Sequence, residues 1–308
     1  ELYIEPIEGL RLSVNLAPNI EFTKLKQFNR AIPYWASDDP NRLEDPFYIG
    51  NHNINQISLN ERRIHDFSLT KQAIANYKKR FGDHSLDITL GQEAYSSFSE
   101  GLRVTGIEYI SNDYPYLSQA PVDKVFDDGT SIVENAYIST FGRLSYNFDS
   151  KYFLQATARR DGSSRFGPDY RWGVFPSVAA GWVLSNEEFL RSVDVISFAK
   201  LRVSYGQLGN DRLGNYLYQS LLQFSNVYLA NGSSVEAARS AAQLYLAVDD
   251  VTWETTSTIN VGLDLGFFKD KLSATFDYFS KETTDMLLEL SIPSLSGYND
   301  PTVNVGSM

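Results

Sequence analysis

Residues 159–167, Arg-Arg-Asp-Gly-Ser-Ser-Arg-Phe-Gly, gather three guanidiniums, one carboxylate and two hydroxyls within nine positions. Such a set could hold an anion or the hydroxyls of a carbohydrate. The plainer reading is a hairpin tip, in which Asp161-Gly162 supplies turn chemistry and the arginines bond to neighbouring strands or loops. That reading is preferred, because turn chemistry accounts for the dipeptide without a ligand. Gly206-Gln207-Leu208-Gly209-Asn210 with Gly214 lacks the Gly-Lys-Ser/Thr of a phosphate-binding loop and reads as a strand end entering a loop. His52, His65 and His84 are scattered without ligand spacing, and His84 is placed in a tight turn. Asp127-Asp128 and Asp249-Asp250 lack the pattern of a dedicated calcium loop and read as solvated charges. No Gly-x-Ser-x-Gly elbow or other catalytic signature is present, so the expectation is a protein that is not an enzyme, with no catalytic residue, cofactor or metal. Asn231-Gly232-Ser233 matches a glycosylation sequon and is given no weight.

The elements that must carry these groups are long and alternate in polarity. Trp172, Val174, Pro176, Val178, Ala180, Trp182 and Leu184 share one face, opposite Arg171, Gly173, Phe175, Ser177, Ala179, Gly181 and Val183. The same alternation sets Ile259, Val261, Leu263, Leu265 and Phe267 against Thr258, Asn260, Gly262, Asp264 and Gly266. Leu272, Ala274, Phe276 and Tyr278 repeat it after a turn at Lys269-Asp270. A strand of about 11 residues spans roughly 37 Å, or about 26 Å of membrane when tilted near 45°. Tight turns at 8–9, 80–83, 149–150 and 269–270 all fall on one end, and long connections at 31–63, 99–135, 208–254 and 288–302 on the other. The tip at 161–169 lies on the long-loop end. The reading is all-β: about ten strands of a transmembrane antiparallel barrel, with short periplasmic turns and long extracellular loops. Ser185–Phe198 reads as a longer tight-side connection with a short helix opened by a capping box at Ser185-Asn186-Glu187-Glu188. A second box, Ser233-Ser234-Val235-Glu236, predicts a helix over the Ala-rich run 236–247. A soluble β-sandwich or small barrel, with its apolar face inward, is the alternative, disfavoured by strand length, by the one-sided loops and by a polar face rich in small residues.

Composition is compatible with this. No apolar run approaches the roughly 18 residues of a membrane helix, and barrel strands carry only a weak hydropathy signal. The net charge of −11 argues against nucleic acid as a partner. The absence of cysteine excludes a disulfide framework. The chain has no initiator Met, and Thr302–Val305 looks like a strand just beginning, so the chain reads as an internal piece of a longer one. Aromatics make up 14% of it. Those in the long loops, Tyr109, Tyr114, Tyr116, Tyr216, Tyr218 and Trp253, are the candidate substrate-binding residues, since aromatic faces stack on sugar rings. Loop packing or an interfacial girdle is the plainer reading for them.

Residues 152–190, 198–218 and 253–288 resemble, in order, the barrel of the SusC/RagA family, TonB-dependent outer-membrane transporters of Bacteroidetes. The block Arg159–Gly167 with Phe175-Pro176-Ser177 is specific for the family; the likeness runs over about residues 137–308 and is weaker near 75–94. The resemblance implies a 22-stranded barrel around a plug, a class of large plugged transporters. Residues 1–308 would then be part of one barrel domain, without plug, TonB box or C-terminal strands. It further implies import of an oligosaccharide or glycan across the cell outer membrane, under a SusD-like surface lipoprotein and driven by TonB acting on the plug. Oligopeptide import is the nearest variant. An outer-membrane enzyme or adhesin barrel is the alternative from another class.

Overall fold

The computed structural model describes residues 1–30, 57–191, 193–231, 234–243 and 245–308. Its strands are β1 (Leu2–Ile7), β2 (Leu10–Asn29), β3 (Ser58–Phe81), β4 (His84–Ile107), β5 (Val125–Phe148), β6 (Tyr152–Ser163), β7 (Trp172–Val183), β8 (Ile196–Asn210), β9 (Leu222–Asn231), β10 (Ser234–Gln243), β11 (Glu254–Phe267), β12 (Leu272–Thr284), β13 (Leu287–Glu289) and β14 (Thr302–Asn304). Among the described residues one α-helix, α1 (Glu188–Arg191), lies between β7 and β8. Ten strands form one sheet in the order β1-β2-β3-β4-β5-β6-β7-β8-β11-β12. Neighbours in sequence are thus neighbours in space, except where the β9–β10 hairpin is inserted between β8 and β11. Pairing is antiparallel in β1–β2, β5–β6, β6–β7, β7–β8, β8–β11 and β11–β12. The tight connections are built from turn backbone: Gly9 and Gly82 hold positive φ, as do Asp149 and Ser150 together, the pattern of a type I′ hairpin turn.

The chain divides into two compact units. The first comprises Glu1–Ala17, Thr70–Ser96 and Asn135–Met308; the second comprises Pro18–Leu69 and Ser97–Glu134. In the first unit the two faces of the sheet differ as the alternation requires. Trp172, Val174 and Val178 of β7, Leu154 of β6, Val203 and Tyr205 of β8, Ile259 and Val261 of β11 and Phe276 and Tyr278 of β12 are all exposed large apolar residues. Their neighbours on the opposite face include Arg159, Ser177, Ser204 and Asn260, part of the polar wall. A soluble sandwich of this size buries its apolar row. Here the apolar rows face outward and the buried apolar residues are few. Besides Val183 and Ala199, those among the described residues form one cluster of Phe166, Phe175, Val251 and Trp253 in the first unit and another of Ile57, Leu59 and Tyr109 in the second.

Three expectations are corrected. β3, β4 and β5 are each 24 residues long, so strand continues well into the stretches 31–63 and 99–135 assigned to loops; residues 31–56 lie outside the described residues. Beyond the bilayer both faces of a strand meet water, the polarity alternation fades, and ladder pairing alone carries the strand on. Second, Asp161-Gly162 is not the turn. Asp161 pairs with Gly173 and Gly162 with Trp172 inside the β6–β7 ladder, and the connection is 164–171. Third, the predicted helix over 236–247 is strand β10 up to Gln243, paired residue for residue with β9 from Ser234↔Asn231 to Gln243↔Leu222. A helix of the twelve residues 236–247 is marginal in water, and a partner strand alongside overrides the Ala-rich propensity. The short helix after Ser185 does form, one turn long at Glu188–Arg191, preceded by a 3₁₀ turn at Leu184–Asn186. His84 opens β4, one residue past its turn.

Candidate functional site

Strand parity brings the arginine-rich block onto the polar wall. Arg159, Asp161 and Ser163 lie two apart on β6 and share its inner face, opposite Phe141, Ser139 and Tyr137 of β5. The Arg159 Nε–H donates to both carboxylate oxygens of Asp161, at 2.7 and 2.9 Å. Its Nη2 donates to the Ser139 hydroxyl at 2.8 Å and stands 3.7 Å from Glu93 on β4. Gln72 of β3 in turn donates to Glu93 at 3.1 Å. Four strands are thereby linked through one guanidinium. The second arginine of the set, Arg165, leaves the β6–β7 tip and donates from Nε to Asn215 at 3.1 Å and from Nη1 to the Asp211 carbonyl at 3.1 Å. The Asp211 carboxylate is 3.6 Å from that guanidinium and accepts the Ser163 hydroxyl at 2.8 Å. Arg160, on the other face, lies over the Trp172 ring at 4.2 Å.

Glu93, Ser139, Arg159, Asp161, Arg165 and Asp211 line a hollow of about 650 Å³ together with Tyr95, Tyr137 and Trp253. Tyr95 and Tyr137 present a tilted ring pair, with centroids 5.7 Å apart. Two signs of charge alternate along the wall and bind each other, so the hollow offers polar contacts to a large hydrophilic ligand rather than a concentrated field of one sign. Below it, Arg202 of β8 continues the wall, donating to Asp264 at 2.8 and 3.0 Å and to Asp277 at 3.2 Å.

The six loop aromatics divide between the two units. Tyr109, Tyr114 and Tyr116 belong to the second unit; Tyr216, Tyr218 and Trp253 belong to the first. Tyr109 is only 5% exposed, packed edge-on against Phe28 with ring centroids 5.6 Å apart. Burial, and secondarily the charge of Glu61, push its hydroxyl above the ordinary tyrosine range. Tyr114 and Tyr116 are 62% and 58% exposed, and the Lys26 ammonium lies 4.7 Å over the Tyr116 ring. Tyr216 adopts positive φ in the segment after β8, and the Tyr218 hydroxyl accepts from Gln219 at 3.0 Å. Trp253 is 8% exposed, its rings against Phe166 and Phe175, and its indole N–H donates to the Arg171 carbonyl at 3.1 Å. Tyr95, Tyr137 and the Arg159–Asp161 pair were missed as wall residues. Their parity on β4, β5 and β6 was the signal that could have placed them.

No histidine among the described residues lines this hollow. His65 stacks on Phe22 at 4.5 Å, His84 Nδ1 is 2.7 Å from the Tyr146 hydroxyl, and His52 lies outside the described residues. Among the described residues no group of three or more His, Cys, Asp or Glu is placed to hold a metal ion. Asp127, expected in a loop, lies near the start of β5 and accepts from the Gly129 amide at 3.1 Å.

Comparison with known proteins agrees with this architecture. The family model described as TonB dependent receptor-like, beta-barrel matches residues 8–308. The TonB-dependent receptor P39 of Formosa agariphila is 32% identical over 96% of the chain, and the TonB-dependent receptor SusC of Bacteroides thetaiotaomicron is 32% identical over 79%. The chain spans 28% and 24% of the length of these two relatives. Among solved structures, that of the RagAB peptide transporter superposes over 99% of the chain with a TM-score of 0.81 at 28% identity, the chain covering 32% of it. Sequence pattern, strand order and these likenesses converge: the chain belongs to the TonB-dependent receptor β-barrel family, in its SusC/RagA branch.

Proposed function

We propose that this chain is a wall segment of a TonB-dependent importer in the outer membrane, carrying a bulky hydrophilic nutrient, with an oligosaccharide as the first assignment. The observation that carries the reading is the sheet itself. Exposed apolar side chains alternate along the middle of β6, β7, β8, β11 and β12, while the opposite face there carries mostly polar and small residues. A wall of that kind separates lipid from a wet lumen. The segment's share is mechanical: outward rows hold the barrel in lipid, the polar face bounds the passage, and the long loops meet the cargo and a SusD-like surface lipoprotein. TonB acts through a plug outside this segment, and no bond is made or broken here. Exposed Tyr114 and Tyr116 are the loop aromatics best disposed to stack on a sugar ring.

Oligopeptide import is the second reading. It is supported by the likeness to a peptide transporter and by the alternating charges of the wall, which suit a zwitterionic chain. Growth of a strain lacking the gene, on a panel of oligosaccharides and peptides as sole nutrient, tests both. The expected result is lost growth on an oligosaccharide with growth on its monosaccharides intact. Loss on peptides alone transfers the assignment to the second reading, and unimpaired growth on the whole panel overturns import of either.

A further inference from the structure

We infer that the β7–β8 connection is a membrane foot, seated with Phe189 in the headgroup boundary of the phospholipid leaflet on the tight-turn side. The inference rests on the outer-membrane reading above and goes beyond it, since a connecting turn has no need of lipid contact. The other described connections at this end are two to four residues long, at 8–9, 82–83, 149–151 and 268–271. The β7–β8 connection runs over 184–195 and carries Phe189, Val193 and Val195, all exposed, with Phe189 at 62%.

What identifies the occupant is continuity with the outward rows. An unbroken band of rings crosses the outer face near the tight turns: Phe81 on His84 at 5.1 Å, His84 on Phe148 at 4.7 Å, Phe148 on Tyr152 at 6.1 Å and Tyr152 on Trp182 at 6.3 Å. The band does not stop at the last strand. Trp182 meets the edge of Phe189 at 6.4 Å, and Phe189 is in α1. The level of the water boundary is marked by Glu187. Its Oε1 accepts both the Tyr152 hydroxyl at 2.6 Å and the Trp182 indole N–H at 3.1 Å. Two amphipathic rings thus turn their polar edges toward one carboxylate and leave their apolar bodies outward, the arrangement that aromatic side chains adopt at a membrane interface. Phe189 follows Glu187 by two residues with its ring on the apolar side of that mark, while exposed Glu188 stays on the wet side. The short helix is held in place by backbone bonds, Leu190 N–H to Glu187 O at 3.1 Å and Val193 N–H to Leu190 O at 3.0 Å.

The chain has no cysteine, so within it a single introduced thiol labels one position. The test is made on the complete transporter in phospholipid vesicles, with a nitroxide on Phe189→Cys, and on Val193→Cys as a second probe of the same foot. Val178→Cys in mid-strand and Glu188→Cys serve as controls. Accessibility to oxygen, which concentrates in lipid, is compared with accessibility to a water-soluble nickel chelate. The expected oxygen-to-chelate ratio at 189 is several-fold above that at 188 and below that at 178. A chelate-accessible label at both 189 and 193 beside an oxygen-rich 178 overturns the foot and leaves the barrel reading intact. A chelate-accessible label at 178 overturns the membrane reading itself.

Discussion

At Tyr109 a phenol is buried against Phe28, Ile57 and Leu59, and its hydroxyl has no hydrogen-bond partner among the described residues. Leaving such a group unpaired costs about 1–3 kcal/mol. Removing it is therefore expected to be harmless: Tyr109→Phe should leave the midpoint of thermal unfolding unchanged or raise it, with a gain of up to about 1 kcal/mol. The raised pKa sets a pH signature as well. Folded Tyr109 keeps its proton at a pH where the unfolded chain has lost it, so the unfolded state binds fewer protons. Stability then falls as pH rises above the ordinary tyrosine value of about 10, until the folded group also ionises. Tyr109→Phe should lack that share of the alkaline loss. Thermal melts of the complete protein in detergent, at neutral and alkaline pH, read both effects; a drop of several degrees at neutral pH would mean that the hydroxyl has a partner. The spacing of turns put Tyr109 outside the short connections and made it a candidate binding residue, but its burial was not legible there. The residues that cover it come from segments about 50 and 80 positions earlier, and pairing of that range leaves no local periodicity.

Between residues and elements, the Arg159–Gly167 block shows how a correct chemical alphabet can be assigned to the wrong grammar. Asp-Gly is a strong turn dipeptide, and a preference of about 1 kcal/mol or less is easily overridden once β6 and β7 keep pairing. The i, i+2 spacing of Arg159 and Asp161 was equally visible and is what the ladder used. The same contest decided 236–247, where helix propensity lost to the facing strand β9. Where one face meets lipid and the other a polar lumen, as in β7 and β11, the alternation placed the strands within a few residues. At the ends of β3, β4 and β5 that contrast is gone, and their extra length went unseen. The bonds made by Asp211 give the element scale its test, since they tie the β6–β7 tip to the segment after β8. Asp211→Ala leaves the Ser163 hydroxyl without its acceptor and removes the carboxylate 3.6 Å from Arg165, which keeps the carbonyl of residue 211, a loss of about 1–3 kcal/mol. Hydrogen exchange of the complete protein should then accelerate at residues 164–171 and 211–221 together. Asp211→Asn, which keeps an acceptor for Ser163, should fall between. Exchange that quickens in one segment only would show that the two are not tied.

For the molecule as a whole, the decisive feature is that the ten-stranded sheet ends. β1 and β12 are its two edges, each with a single neighbouring strand in the sheet, and among the described residues only Thr283 near the end of β12 exchanges backbone bonds on its other side, with Met308 at 2.8 and 2.9 Å. An edge strand leaves every second pair of backbone N–H and C=O groups unpaired, and each such group costs several kcal/mol in hydrocarbon, where water cannot replace the missing strand. β12, 13 residues long, adds Phe276, Tyr278 and Phe279 to that edge, all exposed. Neither solvent suits such a sheet alone: water meets the apolar rows, and lipid meets the open edges. A sheet of this kind is stable only where further backbone covers its edges. Residues 1–308 expressed alone are therefore expected to be recovered as aggregates from water, and to show in detergent no migration shift between heated and unheated samples, the mark of a closed barrel. The complete transporter should show that shift. Light scattering and the gel assay separate the cases: a monodisperse, cooperatively melting, water-soluble product from residues 1–308 would place the apolar rows inside a core and overturn the barrel reading at its base.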